Sequence, residues 1–443
     1  MTTTDTRWRN WASTAAAHPR AVARPRTDED LARLVGEAAA GGRRMRAVGS
    51  GHSFTDCAVT TGTSVDLSAL DRIEWVGPPS PDGSRPVRIG AGITLRRLCV
   101  ELAERGLALA NMGDIDAQTL AGAVSTGTHG TGERFTGFAG MVEHVRIVTA
   151  DGAIRDTTPD SEPDLFEAAR LGVGSLGVIT ALTLRAVPAF VLHAHEAPRP
   201  LAAVLEGLAD PDGPVRSNDH FEFYWFPHTD LALTKANNLA AADDLPLPTT
   251  RRLLDDELLS NGLFAATNEL CTLAPGLTPW VNRIAARALG ERTYTAPSHA
   301  VFVTPRRVRF REMEYAIGAA DLAPALARVR AWLDRRRAAV PFPIEVRFAA
   351  ADDVWLSTAF GRRTAYVAVH QNLGLEFREY FRAVEAIMAD FGGRPHWGKI
   401  HWLRRADLAE LYPRFGDFLA VRDRVDPHGV FANRYTGRVF DTA

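Results

Sequence analysis

The first strong pattern along the chain is a helical one. In 28-DEDLARLVGEAAAG-41, Leu31, Leu34 and Val35 fall on one stripe, acidic residues crowd the start, and Gly41-Gly42 ends the run. This predicts a helix over 28–41. The stretch RRMRAVG then reads as a short strand and leads into a turn of small residues, 49-GSGHSFTD-56. Strands are predicted around SVDLSAL and PVRIGAG, followed by an amphipathic helix through TLRRLCVELAERG that stops at Gly106. In MVEHVRIVTADGAIRDT the pair Asp151-Gly152 sits between two alternating apolar runs, the pattern of a β-hairpin. A further helix with an acidic start, SEPDLFEAARLG, passes through glycines into the strand GVITALTLRAV, which Pro188 closes.

Beyond that point the texture changes. Residues 190–345 carry longer segments, a polar loop over 240–250, and strand-like runs such as HFEFYWF (220–226) and HAVFVTP (299–305). A helix is predicted in EFREYFRAVEAIMADFG, before a dense polar-aromatic tail. At 443 residues the chain exceeds one ordinary core. The expected division is an N-terminal cofactor domain over 8–187 and a C-terminal substrate domain over 188–443.

Charge changes this picture little. Lys+Arg total 51 against Asp+Glu 53, a formal net charge of −2, so nothing electrostatic calls for a nucleic-acid or membrane partner. The three cysteines, Cys57, Cys99 and Cys271, are odd in number and widely spaced, which argues against a disulfide framework and a zinc site. No metal is expected. There is no apolar run of about 18 residues, and the opening residues mix charges with Trp, so a cytoplasmic location is expected. Arg far outnumbers Lys, which makes an isolated Lys conspicuous, because a lysine is a compact cation whose pKa can be tuned.

Three glycine-rich turns carry the candidate chemistry. The run 172-GVGSLG-177 fits GxGxxG, but a dinucleotide fingerprint needs a strand before it and a helix after it. Here a helix precedes and a strand follows, which disfavours a nicotinamide dehydrogenase; a nest of N–H groups can still hold phosphate there. The run 119-TLAGAVSTGTHGTG-132 lines up many backbone and hydroxyl donors, fitting either a long polar ligand or a small-residue packing turn. In GSGHSFTD a histidine stands among tiny residues, on composition alone as easily a surface residue as a functional one.

At these residues the chain resembles the vanillyl-alcohol-oxidase/PCMH-type flavoproteins, and within them the sugar-lactone and alditol oxidases. RAVGSGHSFTD looks like the family's pyrophosphate loop with its flavin-linking histidine, MGDIDAQTLAGAVSTGTHGTG like the second FAD loop, and LGVGSLGVITALTL like the third. EVRF (345–348), RPHWGK (394–399) and the closing DPHGVFANRY extend the likeness from residue 8 to residue 437. The resemblance implies an α+β fold, with a PCMH-type FAD-binding domain of two subdomains and a second α+β substrate (cap) domain whose C-terminal segment returns to the flavin. It implies FAD linked covalently through His52, with no cysteine in 111–132 to make a second bond. The FAD-binding residues it implies are Val48, Gly49, Ser50, Gly51, Ser53 and Phe54 in the first loop. The second loop contributes Gly113, Asp114, Thr119, Gly122, Ala123, Ser125, Thr126 and His129, and the third Gly174, Gly177, Val178 and Ile179, with His396 nearby.

The activity so implied is oxidation of a hydroxyl on a sugar lactone or polyol, with reoxidation by O2 or another electron acceptor. Flavin reduction builds negative charge on the ring and transiently on the substrate oxygen, and both call for fixed cations or donors in a dry pocket. Lys399 and Arg347 are the candidates, with Glu345 beside Arg347 on the same strand face. His370 and Asn372 share an i, i+2 relation at a strand end, either completing the substrate pocket or serving as ordinary polar strand-end residues. His396 is expected to contact the flavin rather than act as a base, because neighbouring cations should lower its pKa. Gly113 stands where the family's small residue controls O2 access, and Asp114 replaces the more usual Ser, which leaves the substrate open. An alditol or oligosaccharide oxidase, and an FAD-binding protein without turnover, are the alternatives.

Overall fold

The helix predicted over 28–41 forms as Asp28–Ala40, because the Thr27 side chain accepts from the Asp30 N–H at 3.1 Å and acidic residues fill its first turn. The computed structural model describes residues 7–240, 261–304 and 308–442, with only the backbone described over 261–266. The helix lies beside two sheets. One is a parallel three-stranded sheet in the order Ala21–Ala23, Thr63–Asp66, Met45–Val48. The other is antiparallel, in the order Ile154–Thr157, Val142–Val148, Val178–Pro188, Arg85–Gly90, Ile73–Val76, with Leu107–Ala108 also paired to Val178–Pro188. The predicted hairpin closes at Asp151-Gly152, where Gly152 has φ +77°. The reversed order around 172–177 also holds: helix Pro163–Ala169 precedes it and strand Val178–Pro188 follows.

The third sheet has eight antiparallel strands. Their order is Arg292–Pro297, Val191–Pro200, Leu231–Leu239, His220–Trp225, Ile344–Ala349, Thr364–Asn372, Phe310–Gly318, Arg394–Pro395. Side chains alternate across it with period two. Ile344, Val346 and Phe348, with Ala365, Val367 and Val369, join an apolar core under helices Leu322–Arg336 and Arg378–Ala389. The opposite face carries Glu345, Arg347, Tyr366 and His370, all buried. A sheet buried on one face by helices and on the other by charged groups is laid out around a site.

Two expectations need correction. The run 299–305 is not a strand at its start, since Ser298–Phe302 is a short helix; its alternation was too brief to separate the two periods. The second glycine-rich loop contains a helix, Leu120–Thr126, ended by Gly127 at φ +76°. The polar-aromatic tail holds three helices, Arg405–Leu411, Phe415–Val425 and Arg434–Phe440, whose Phe418, Tyr435 and Phe440 pack into the same core as Leu31 and Val145. The polar loop expected over 240–250 lies outside the described residues from 241 onward.

Candidate active site

The three glycine-rich turns converge on one cavity of about 330 Å³. Val48 to Ser53 line it from the first loop, Thr119, Gly122, Ser125 and Thr126 from the second, and Gly174, Gly177 and Ile179 from the third. The approach is close enough to require glycine. A Cβ on Gly49 would come within 2.3 Å of Thr119 Oγ1. Ala123 and Val178 are instead core residues, and Phe54 packs with Trp11 and Phe310. Gly113 has a packing reason of its own, since a Cβ there would stand 3.0 Å from the His129 carbonyl oxygen.

Arg46, which the sequence reading did not single out, lies in the wall of this cavity. Its buried guanidinium donates to the carbonyls of Gly174, Val173 and Phe431 at 2.8 Å, and to that of Cys57. It thereby ties the first loop, the third loop and the C-terminal segment together. Asn433 adds bonds to the carbonyls of Asp56, Cys57 and Val59, and Val430 accepts from the Met45 N–H at 2.8 Å.

At one end of the cavity, the Phe54 N–H donates to the Gly398 carbonyl at 2.7 Å, joining the histidine loop to the HWGK turn. A Cβ on Gly398 would meet His396 Cε1 and Ser53 Oγ at 3.3 Å and Thr126 at 3.4 Å, so two loops and the turn meet at this glycine. His52 stacks on Trp11, ring centroids 5.8 Å apart. Burial, with Lys399 next, lowers its pKa, so the imidazole is neutral at neutral pH. Lys399 Nζ lies 5.1 Å over the Phe54 ring and is paired with Glu312. Burial opposes the charge of Lys399, but Glu312 and Glu314 raise its pKa, so it stays a cation.

The charged face of the large sheet continues from there. Glu312 and Glu314, two residues apart, point to the same side. Burial works against the ionisation of Glu312, yet Lys399 and His370 hold its pKa at about 2. Glu314 accepts from His129 Nε2 at 2.8 Å, while His129 Nδ1 faces the Gly130 carbonyl at 2.9 Å. Both ring nitrogens of His129 thus face oxygen atoms. The ligating atoms of His129, Glu314 and His396 lie within 4.8 Å of one another. His396 Nδ1 accepts from the Gly398 N–H at 3.0 Å, which leaves the proton on Nε2, so the cluster is built for hydrogen bonding. Burial first, and Lys399 and His129 after it, lower the His396 pKa to about 4. The direction agrees with the sequence reading; the leading cause does not.

Arg347 is held by three carboxylates. Its Nε lies 2.9 Å from Glu222, and its Nη2 contacts Glu345 and stands 3.5 Å from Asp114. Glu345 also accepts from Tyr224 OH at 3.4 Å, and His370 Nε2 is 4.0 Å from it. Arg347, Glu345, His370, Lys399 and Asp114 are thus brought together. Asn372 stands apart: its amide oxygen accepts from the Gly374 N–H at 2.8 Å in the turn that follows the strand. The sequence reading missed Glu222, Lys235, Glu312 and Glu314. A signal existed for one of them, since the chain contains only two lysines, Lys235 and Lys399, and both pair with glutamates of this face.

Comparisons with known proteins show the chain's family and fold. A family model described as D-arabinono-1,4-lactone oxidase matches residues 182–439, and one described as FAD binding domain matches residues 19–158. The chain is 44% identical over 435 residues to an L-gulono-1,4-lactone dehydrogenase of Mycobacterium tuberculosis, covering 98% of each chain. It is 32% identical to the L-gulonolactone oxidase of Bos taurus, again over 98% of each. In fold it matches a cholesterol oxidase from B. sterolicum with a TM-score of 0.83 at 17% identity, over 98% of this chain and 96% of that one.

Proposed function

The chain belongs to the D-arabinono-1,4-lactone oxidase family, and on that premise we propose that it is an FAD-dependent oxidoreductase that oxidises a hydroxyl of an aldonolactone. The residues present fit FAD. A cavity walled by close-approaching glycine loops, hydroxyls and a buried arginine suits a long diphosphate ligand, and its Ser53 lies beside the HWGK turn. When bound, FAD supplies the two-electron acceptor.

The observation that carries the reading is the Phe54–Gly398 hydrogen bond, which joins the loop of His52 to the turn of Lys399. His52, neutral and half-buried, is the attachment point in this reading, giving a single covalent link. Lys399 and Arg347 remain cationic through the reaction and stabilise negative charge on the substrate oxygen as its proton leaves. Glu345 and Asp114 orient Arg347 and accept hydrogen bonds from the remaining hydroxyls. His396 presents its Nε2 proton as a fixed donor rather than acting as a base. Among the described residues no helix is long and apolar enough to cross a membrane. The three cysteines are free and buried, in keeping with a cytoplasmic enzyme.

Two measurements test this. Acid precipitation should carry yellow flavin into the protein pellet; a colourless pellet with flavin in the supernatant removes the His52 link. Anaerobic mixing with L-gulono-1,4-lactone should bleach the flavin, and re-admitted air then sorts the acceptor: prompt recovery with peroxide means O2, slow recovery means another acceptor. Failure of every lactone in a panel, with turnover of an alditol, would replace the substrate class.

A further inference from the structure

The charges on the inner face of the large sheet form a row. Cross-strand register places Arg292 opposite Glu196, Glu196 opposite Lys235, and Lys235 opposite Glu222. The Phe223–Val346 pairing then carries Glu222 to Arg347, and Arg347 lies opposite Tyr366. The signs alternate across five strands, positive, negative, positive, negative, positive, and end on the tyrosine stacked against His129 at 3.5 Å. The contacts follow the register: Arg292 to Glu196 at 3.0 Å, Lys235 to Glu222 at 3.6 Å, Arg347 to Glu222 at 2.9 Å. Glu222, Lys235 and Arg347 are 5%, 6% and 7% exposed.

Such a row is not the most stable filling for these positions, since buried ion pairs are often matched or exceeded by apolar side chains of similar size. The same strands carry an apolar face on their other side. We propose that Lys235 and Glu222 are positioning residues for Arg347, Glu222 fixing the guanidinium and Lys235 supplying the second cation that balances Glu222, so that a neutral polyhydroxy substrate meets a rigid clamp. This rests on the functional reading of Arg347 given above.

The arithmetic of charge supports it. Asp114, Glu222 and Glu345 face Arg347; with Arg347 alone they carry two excess negative charges, and with Lys235 one. The other groups facing the cluster are Tyr224 beside Glu222, Glu196 and Tyr294 beyond Lys235, His370 against Glu345, and Lys399 acting on Asp114. Burial pushes Glu222 towards the neutral acid, and Arg347 and Lys235 together outweigh it. Removing Lys235 therefore raises the proton affinity of Glu222.

The test uses the flavin-loaded enzyme and L-gulono-1,4-lactone. In Lys235→Met, flavin content should be normal, kcat/KM should fall about tenfold or more, and the acid limb of its pH profile should move up by about one unit. Glu222→Gln/Lys235→Met removes opposite charges together and should return the limb to its wild-type position. Lys235→Arg keeps the charge and should leave the limb in place even if Lys235→Met does not fold. A Lys235→Met enzyme that loses melting temperature but keeps its limb overturns the proposal, and so does a limb that moves in Lys235→Arg. Arg347→Ala separates the two readings. If it turns over normally, the role of Arg347 itself falls; if it is inactive while the Lys235→Met limb stays fixed, only the positioning role falls.

Discussion

Lys399 illustrates how a single residue acquires its properties here. Burial alone would drive its proton off, but Glu312 and Glu314 lie beneath it and hold it charged. Lys399→Ala should therefore cost turnover more than folding. A loss of kcat on the order of 10²-fold or more is expected for removal of a donor to developing negative charge; near-normal turnover in rapid-reaction measurements would reject that role. In the proposed function Asp114 bears on substrate choice, since it shares Arg347 with Glu345 and Glu222. Asp114→Ser should raise kcat/KM for an alditol relative to a lactone, and an unchanged ratio would free Asp114 from that part. The sequence named Asp114, Arg347, Glu345 and Lys399 through motif and spacing. It gave no notice of Glu222, because a lone Glu in an apolar strand has no local signature until another strand places a cation against it.

At the level of elements, the loops were more legible than their shapes. Gly49, Gly122 and Gly174 stood out as glycines, but only the fold reveals which atoms they make room for. A methyl on Gly49 would meet Thr119 Oγ1 at 2.3 Å but Thr119 Cβ only at 3.5 Å. Gly49→Ala should consequently lower flavin content per chain, and Gly49→Ala/Thr119→Ala should restore much of it, because the hydroxyl is the obstacle. Absorbance at the flavin band against protein would check this, and no recovery in the double variant would point to backbone conformation instead. The helix Leu120–Thr126 escaped notice because Gly122 and β-branched or small residues mask its period. The central strands were readable as strands, yet their alternation does not say which side carries the site, since both sides are buried.

For the whole molecule, buried histidines set the response to acid. His396, His401 and His220 all have pKa values lowered mainly by burial. In the unfolded chain they take up protons near pH 6.5, and in the folded protein only at lower pH, so between these limits unfolding binds protons and stability rises with pH. For His396 the window runs from about 6.5 down to about 4. Carboxylates with depressed values, Glu312 among them, add a second loss below about 4.5, complete near 2. The melting temperature of the holoenzyme should thus be highest near neutrality and fall steadily from pH 6.5 to 4.5. His401→Asn should make that fall shallower, and an unaltered slope would assign the linkage to other groups. By itself the sequence determined the local elements, the three glycine turns, the helix–turn–strand order that disfavours a Rossmann site, and the motif residues of the flavin and substrate regions. These depend on contacts within a few residues, where period and side-chain chemistry suffice. Only the tertiary structure decided that the tail packs back onto the first core, that Phe54 and Gly398 bond across more than three hundred residues, and that single charges from separate strands line up into one row, because such partnerships arise from strand register and burial rather than from any neighbouring sequence.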